Sequence, residues 1–374
     1  MYCDIDEVAR SLARIGKMAR DMPPSWDGAK CRTLVAGPSF EHVGYMLPGR
    51  GLQLDCDLKY LGIKKPLPFV YQDTLRRRLF EILRSERGAI ATYDGIINAR
   101  ASGQFNDVPF TKNTLTTVAN QWSSLLRAGG QPAAMVVNAT TAPTETATDR
   151  TTTGALSVGL VNPGGSNRKY LLTFGFGSSS TINFALLLDV HVQGGAFRLT
   201  VSTAETVASP VAVVRNYGNA ATGAGNCISF IETTASSATA HTLTVSYKNQ
   251  VGSSTSVVFS APATAGTIDG IYPVASTNWF IPLASGDFGV QSVSQTQSNT
   301  ILAAGVLALI LHYPLMLVPG ITANVYIERD STVQIDALTE LANSSQVLGC
   351  LGVFVFTNGT TSGQFTGMYR TCEG

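Results

Sequence analysis

The chain has 374 residues, 44 % of them hydrophobic, which is enough for two domains or for one domain with a long extension. Only 14 % of the residues are charged, against roughly 25 % in an ordinary soluble protein. The six cysteines form no C-x-x-C pair and match no common zinc module, so we expect free thiols and neither a disulfide scaffold nor a zinc domain.

Charge is distributed unevenly along the chain. Residues 1–131 carry 18 Lys and Arg against 13 Asp and Glu, whereas the remainder carries 8 against 12. A basic first part could face nucleic acid or an acidic neighbouring subunit. The alternative, slightly favoured, is that helices in this part simply carry solvated arginines.

The first segment has the pattern of an amphipathic helix from Asp4 to about Arg20. Asp4 is a suitable N-cap, and Glu7 follows three residues later as in a capping box. An apolar stripe at helical spacing comprises Ile5, Val8, Leu12 and Ile15. A single helix cannot bury this stripe alone, so we expect it to dock on the body of the protein or on another subunit. The segment does not resemble a secretory signal peptide, which predicts synthesis in a cytoplasm.

Residues 21–71 are interrupted by many prolines and glycines, and neither the helical nor the strand period persists between them. This pattern predicts an extended arm that gains order by lying along neighbouring subunits. Helical pattern returns at Gln72, predicting helices over 72–88, 89–101 and 114–127. The first of these helices carries Arg76, Arg77 and Arg78, which could contact phosphates or an acidic patch on a partner. A solvated helix face explains the same three arginines equally well.

From about Ala133 the sequence is rich in Thr, Ser, Ala and Gly, with short runs of alternating or continuous apolar residues. The clearest alternation is Thr242–Lys248, and Asn358-Gly359 is a hairpin signal between the last two predicted strands. Many short strands separated by turn residues predict a mainly β fold. We expect an antiparallel, jelly-roll-like β-sandwich over 132–374, preceded by an N-terminal arm with amphipathic and basic helices over 1–131. The predicted strands are Ala155–Leu160, Lys169–Phe176, Ile182–Val192, Arg198–Val201, Val211–Asn216, Ile228–Glu232, Thr242–Lys248, Thr255–Ser260, Trp279–Pro282, Gly289–Val293, Val306–Tyr313, Val347–Phe356 and Gly363–Tyr369.

The apolar run Ile301–Pro319 could be mistaken for a membrane span. It contains His312 and two prolines, Pro314 and Pro319, and falls short of about 20 clean apolar residues. We expect a buried strand instead, and no membrane partner.

The sequence contains no phosphate-binding loop and no G-x-S-x-G nucleophile motif. Asp189 and His191 lie two apart on a predicted strand and therefore on one face, which makes them the best candidates for a metal pair or for a base with its orienting carboxylate. No third ligand can be named, so an inter-strand hydrogen bond or a surface pair is the favoured interpretation. We predict no catalytic residues, no metal and no cofactor.

Five parts of the chain are of further interest: Tyr170–Leu172, Leu186–Asp189 with Gly194-Gly195, Thr244–Gly252, Ile281–Val290 and His312–Leu315. These segments resemble a type of β-rich structural protein found in tailed bacteriophages. The resemblance covers more than half of the chain in style, rests on no signature motif, and carries over no catalytic or ligand residue. It implies a virion protein, either a capsid decoration or cement protein or a tail component.

Three functions therefore compete. The leading one is a non-enzymatic virion component that is made in the host cytoplasm. It forms a homo-oligomer, with a trimer favoured, and joins other virion proteins through its N-terminal arm. Direct contact with nucleic acid is not favoured. The assembly contacts expected in the arm are Ile5, Val8, Leu12, Ile15, Arg76, Arg77 and Arg78. The second is a carbohydrate-binding adhesive module, which requires exposed aromatic side chains in a concave site; Trp279 is the only tryptophan after residue 131. The third is a glycan-degrading tail enzyme, which requires a pair of carboxylates.

Overall fold

The computed structural model describes residues 42–46, 53–57, 90, 93–137, 143–165, 167–213, 215–217, 222–273, 279–332, 338–343 and 346–374. Contacts divide the chain into two units, Met1–Ala91 and Thr92–Gly374. Both the helix predicted over 4–20 and the one over 72–88 lie outside the described residues. The same holds for every assembly contact expected in the arm, namely Ile5, Val8, Leu12, Ile15, Arg76, Arg77 and Arg78.

The described part contains one helix, α1 (Tyr93–Ala101), and nineteen strands. The strands in chain order are β1 (His42–Met46), β2 (Gln53–Asp57), β3 (Phe105–Thr117), β4 (Gln121–Ser124), β5 (Gly130–Gln131), β6 (Thr144–Ala147), β7 (Arg168–Ser178), β8 (Ile182–Arg198), β9 (Glu205–Thr206), β10 (Cys227–Thr234), β11 (His241–Asn249), β12 (Ser254–Ala261), β13 (Ile271–Tyr272), β14 (Val290–Ser298), β15 (Val306–Ile321), β16 (Tyr326–Asp330), β17 (Thr339–Asn343), β18 (Cys350–Thr357) and β19 (Thr361–Glu373). All the ladders are antiparallel, which confirms the predicted mainly β, antiparallel class.

In the first unit, β1 and β2 pair with each other, from His42 opposite Asp57 to Met46 opposite Gln53. Residues 21–71, predicted to form an extended arm, thus contain one short antiparallel pair of strands. The sequence between the two strands includes Pro48, Gly49 and Gly51, residue types that favour a chain reversal.

The second unit begins with α1, which confirms the later part of the helix predicted over 89–101. Asp94 lies in its first turn and Arg100 in its last, as the helix dipole favours. The helix predicted over 114–127 is wrong, because β3 and β4 occupy most of that range. Both strands pair within the sheets of the second unit, although they precede residue 132, where we expected the β body to begin.

A barrel-like sheet forms the centre of the second unit, with strand order β13, β10, β15, β8, β18, β4. Its two ends approach each other, because Ser123 of β4 forms a bridge to Gly270, next to β13. Large apolar side chains from alternate positions fill the interior, including Leu186, Leu188 and Ile310. Alternation places the intervening residues of the same strands on the outer face.

Two further sheets cover different parts of this outer face. The first has the order β16, β7, β19, β3, β5, with β17 also paired to β7, and packs a core of phenylalanines and leucines against β8 and β18. The second has the order β12, β11, β14, β9 and packs Leu243, Val245 and Tyr247 against β10 and β15. The architecture is thus a nearly closed central sheet between two open antiparallel sheets.

Some local predictions also need correction. Ala155–Leu160 and Trp279–Pro282 are not strands, and Arg198–Val201 holds only the last residue of β8. The apolar run is strand β15, which continues through both prolines to Ile321. Asn358-Gly359 does not close a hairpin, because β18 belongs to the barrel-like sheet and β19 to the first flanking sheet. No helix among the described residues is long and apolar enough to cross a membrane.

Candidate functional site

Asp189 and His191 lie on the outer face of the barrel-like sheet, between its two flanking cores. Leu187, two residues before Asp189, belongs to the first core, and Val192 belongs to the second. The register of β8 against β15 shifts between Val190 and Val192, so His191 is an extra residue in the ladder. Such a bulge changes the direction of a side chain locally. Both side chains are buried, which excludes the surface pair that the sequence suggested.

Asp189 is the centre of a buried polar network. Arg215 donates from Nε to Oδ2 at 2.6 Å and from Nη2 to Oδ1 at 2.8 Å, which is the bidentate geometry of a strong charge-assisted pair. The hydroxyl of Tyr217 also donates to Oδ2, at 2.5 Å. The remaining guanidinium donors reach the carbonyl oxygens of Thr148 at 2.8 Å and of Val190 at 2.5 Å. The network ties residues 215–217 to the barrel.

Two packing features hold this network in place. A Cβ atom on Gly349 would lie 2.1 Å from Asp189 Oδ1, so only glycine leaves room for the carboxylate there. The ring of Tyr217 stacks on that of Tyr313 with 4.2 Å between centroids and an angle of 16°. Burial, with the nearby Asp189 charge, raises the pKa of Tyr217 well above its usual range, so the hydroxyl stays a donor.

His191 lies beside this network without joining it. Its Nε2 is 3.9 Å from Asp189 Oδ2, and neither ring nitrogen has a hydrogen-bond partner among the described residues. Burial lowers its pKa to about 4, with the Asp189 charge opposing the shift and the Arg215 charge adding to it. The imidazole is therefore neutral at pH 7, and Asp189 does not orient it as it would orient a catalytic base.

A serine–histidine pair lies inside the barrel. His312 Nε2 is 2.8 Å from Ser229 Oγ, and both side chains are fully buried. The Ser229 hydroxyl also contacts the carbonyl oxygen of Trp279. A carbonyl can only accept, so the serine proton is directed to Trp279 and His312 Nε2 carries a proton toward Ser229. In that tautomer the imidazole cannot act as the base for the serine.

An aromatic cluster occupies one end of the barrel. We use this name for Trp122, Phe184, Trp279, Phe280 and Phe356. Ring centroids lie 5.4 Å apart for Trp122 and Phe356, 6.5 Å for Trp122 and Trp279, and 4.7 Å for Trp279 and Phe280. The cluster runs from the buried interior to the surface, because Trp122 is 5 % exposed whereas Phe280 is 36 % exposed.

The sequence identified Trp279 and missed its partners. Trp122 was assigned to a helix of the arm, whereas β4 places it against the end of β18, opposite Phe356. Arg215 and Tyr217 were also missed. A signal for Arg215 was present, since an arginine directly after Val211–Val214, in a stretch with few charges, needs a buried partner.

Two buried titratable groups outside these sites, Lys112 and Glu232, are hydrogen-bonded within the fold. Lys112 Nζ donates to the carbonyl oxygens of Pro132 at 2.9 Å and Ala133 at 3.2 Å, and burial lowers its pKa to about 8. Glu232 accepts from Ser236 Oγ at 2.6 Å and from the Thr267 amide at 2.5 Å. Within the part of the chain that the structure describes, no three His, Cys, Asp or Glu side chains are grouped so that they could hold a metal ion.

Comparisons with known proteins identify no relative. No family model matches the chain, and no curated protein matches it. Among solved structures, the chain is similar to the infectious bursal disease virus VP2 subviral particle, with 8 % identity over 72 % of this chain and 80 % of that chain and a TM-score of 0.15. A D431N mutant of VP2 in derived T=1 particles gives 7 % identity over 72 % and 78 %, with a TM-score of 0.12. Likeness at these scores carries no argument about fold or function.

Proposed function

We propose that this protein is a non-enzymatic structural component of a particle and that it assembles with copies of itself and with other particle proteins. The observation that carries the proposal is that Asp189 is buried and hydrogen-bonded at both carboxylate oxygens. This carboxylate stands in the most enzyme-like constellation of the chain, yet it is fully buried and both of its oxygens are occupied by Arg215 and Tyr217. Chemistry on a substrate requires an accessible group with a free lone pair or proton.

The same reasoning applies to Ser229 and His312. A hydrolase built on this pair would need His312 to accept the serine proton, whereas the contact with the Trp279 carbonyl directs that proton elsewhere. These polar groups instead join elements of the fold that are distant in sequence. A low proportion of charged residues fits a surface that is covered by partners.

Assembly is tested by measuring the mass of the full-length protein in solution over a range of concentrations. We expect an oligomer, with a trimer as the first choice, and incorporation into particles when the other components are present. A protein that stays monomeric at its highest soluble concentration and does not join particles would contradict the proposal. So would a hydrolytic activity that is lost in H312A.

The arm is tested by deletion of residues 1–91, since the second unit begins at Thr92. A deletion of 1–131 would remove β3 and β4 from their sheets and is not informative. We expect the shortened chain to fold and to lose attachment to the particle. Normal attachment would show that Ile5, Val8, Leu12, Ile15 and the arginines 76–78 have no such role.

A saccharide-binding role is the second candidate, and the aromatic cluster favours it. Aromatic rings that extend from a buried base to an exposed edge offer flat apolar faces, which bind the C–H faces of sugars. Oligosaccharide binding, measured by calorimetry or on a glycan array, should then be lost in F280A and W279A. F288A is the matched control, because Phe288 is 60 % exposed and is not one of the cluster rings. Equal binding by all variants would remove this candidate.

A further inference from the structure

Strand β12 forms one edge of the second flanking sheet. It pairs with β11 over eight consecutive positions, from His241 opposite Ala261 to Lys248 opposite Ser254, without a bulge. No described strand pairs with its other side. An edge of this kind presents a regular row of backbone donors and acceptors that another strand can use.

The other edges of the second unit are short, closed or charged. β5 and β9 have two residues each, and the ends of the barrel-like sheet are joined by the Ser123–Gly270 bridge. β16 ends in Glu328, Arg329 and Asp330. β3, which pairs with β5 at only two positions, contains Asp107, Pro109 and Lys112. Charges, prolines and shortness are the devices that prevent strand addition, and β12 has none of them.

The composition of β12 favours contact with another strand. No charged residue occurs from Asn249 to Ile268. Val257 and Phe259 face the second core but are only half-buried, whereas Leu243 and Val245 of β11 are at most 1 % exposed. On the opposite face Val258 is 62 % exposed. Apolar surface therefore continues to the edge on the core face, through Val257 and Phe259, where one more strand would cover it, whereas on the opposite face Val258 is the only apolar residue of β12 among serines.

We propose that a second copy of this chain pairs with β12 through its own β12, antiparallel and about a two-fold axis. A two-fold axis perpendicular to the sheet keeps the core-facing residues of both copies on the same face of the joined sheet. The registers that overlap the two strands most completely place either Val257 opposite Val257 or Val258 opposite Val258. In both registers every cross-strand pair is uncharged, so no like charges oppose each other. The pairing joins two four-stranded sheets into one of eight. It rests on the assembly proposed above, and because a two-fold contact cannot close a trimer, it would link two copies that belong to different trimers.

The choice of a second copy over the arm follows from charge. Residues 1–91, which form the first unit, hold 15 basic and 11 acidic residues. A strand taken from most parts of that segment would place charged side chains against the uncharged β12. Two copies of β12 match each other in length, in hydrophobic pattern and in the absence of charge.

The test uses V257C and V258C in the full-length protein, each exposed to mild oxidation. Directly opposed residues of an antiparallel pair have Cα atoms about 4.5–5.5 Å apart, which lies within the range for a disulfide. We expect one of the two variants to form a covalent dimer rapidly. V251C and the wild type are the controls, because Val251 is 69 % exposed but lies in the turn before β12, and the wild type reports the background from native cysteines.

A second variant gives an independent readout. V258K puts a charge on the exposed face of the edge, where it should not disturb the fold, and should lower the mass of the assembly in solution, whereas V251K should not. If the wild type assembles but V258K has the same mass and neither cysteine variant crosslinks above the controls, the β12 contact is wrong and the structural function stands. If the wild type is monomeric, both are wrong. If the disulfide in V257C or V258C instead joins the new thiol to Cys3, Cys31 or Cys56, the arm is the true occupant of the edge and the pairing of two β12 strands is overturned.

Discussion

Asp189 and Glu232 are both fully buried carboxyl groups, yet the fold holds them in different ways. Arg215 supplies Asp189 with a bidentate counter-charge. Glu232 accepts hydrogen bonds only from a hydroxyl and from backbone amides in the described part of the chain, and burial raises its pKa to about 7. A guanidinium thus binds one buried carboxylate through two hydrogen bonds, whereas the other has only neutral donors and its burial raises the pKa to near neutral pH.

Removal of the arginine counter-charge of Asp189 should have the largest effect on the free energy of unfolding. R215M should leave Asp189 buried and uncompensated and lower the free energy of unfolding by about 3–5 kcal/mol. Urea denaturation at pH 7 measures the change. The double variant R215M/D189N carries no unpaired charge and should recover a large part of the loss. A loss in R215M below about 1 kcal/mol would mean that the pair does not stabilise the fold.

His191 should make the stability of the folded protein depend on pH in the acid range. Its pKa in the folded protein, lowered to about 4 by burial, is below the ordinary value of 6.5. The unfolded chain therefore takes up a proton as the pH falls below 6.5 while the folded chain does not, so stability declines toward pH 4. H191M should remove this decline, gaining about 2–3 kcal/mol at pH 4 relative to the wild type. Near pH 7 the two proteins should differ little. Parallel curves over the whole range would contradict the assignment.

Glu232 makes the opposite prediction at higher pH. Its pKa in the folded protein is raised to about 7 from an ordinary value of 4.5. Its contribution to stability is therefore fully present below about pH 4.5 and is lost as the pH rises through 7. E232Q keeps one of the two acceptor oxygens and should flatten this loss by about 2–3 kcal/mol at pH 8. Thermal unfolding across this range measures it. E145Q is a useful companion, because burial also raises the pKa of Glu145 to about 7.

The smallest effect is expected at the surface. Asp107 accepts from Arg370 Nε at 2.6 Å, but the Asp107 side chain is 53 % exposed. D107N should change the free energy of unfolding by less than about 1 kcal/mol, and less at high salt. A loss comparable to that of R215M would show that burial does not determine the value of a charge pair in this protein.

Sequence patterns predicted strands correctly where the hydrophobic pattern lies within a single strand. The alternation of Thr242–Lys248 corresponds to β11, and the apolar run from Val306 corresponds to β15. They failed at residues 114–127, where Leu115, Val118 and Trp122 have helical spacing. That spacing arises because β3 ends at Thr117 and β4 starts at Gln121, with Asn120 at a φ of 57° in the turn between them. The many β-branched residues of this segment favour strands, whereas the spacing of its apolar residues favours a helix.

The candidate sites were harder to predict, since their members are far apart in sequence. Asp189 and His191 were identified as a pair from their spacing of two. Trp122, which packs against Trp279, is brought there by the order of strands in the barrel-like sheet, whereas Arg215, which binds Asp189, lies outside the described strands. No local pattern encodes that order, because it depends on how several strands compete for the same neighbours.

The position of β19 has a consequence for synthesis on the ribosome. This strand lies between β3 and β7, so that Phe105 pairs with Cys372 and Tyr170 with the same residue from the other side. At about 5–20 residues per second, β3 leaves the ribosome on the order of ten seconds or more before its partner has been made. During that interval the edges of β3 and β7 are both unpaired. The charges and the proline in β3 therefore protect the nascent chain against premature pairing, in addition to any role in the finished protein.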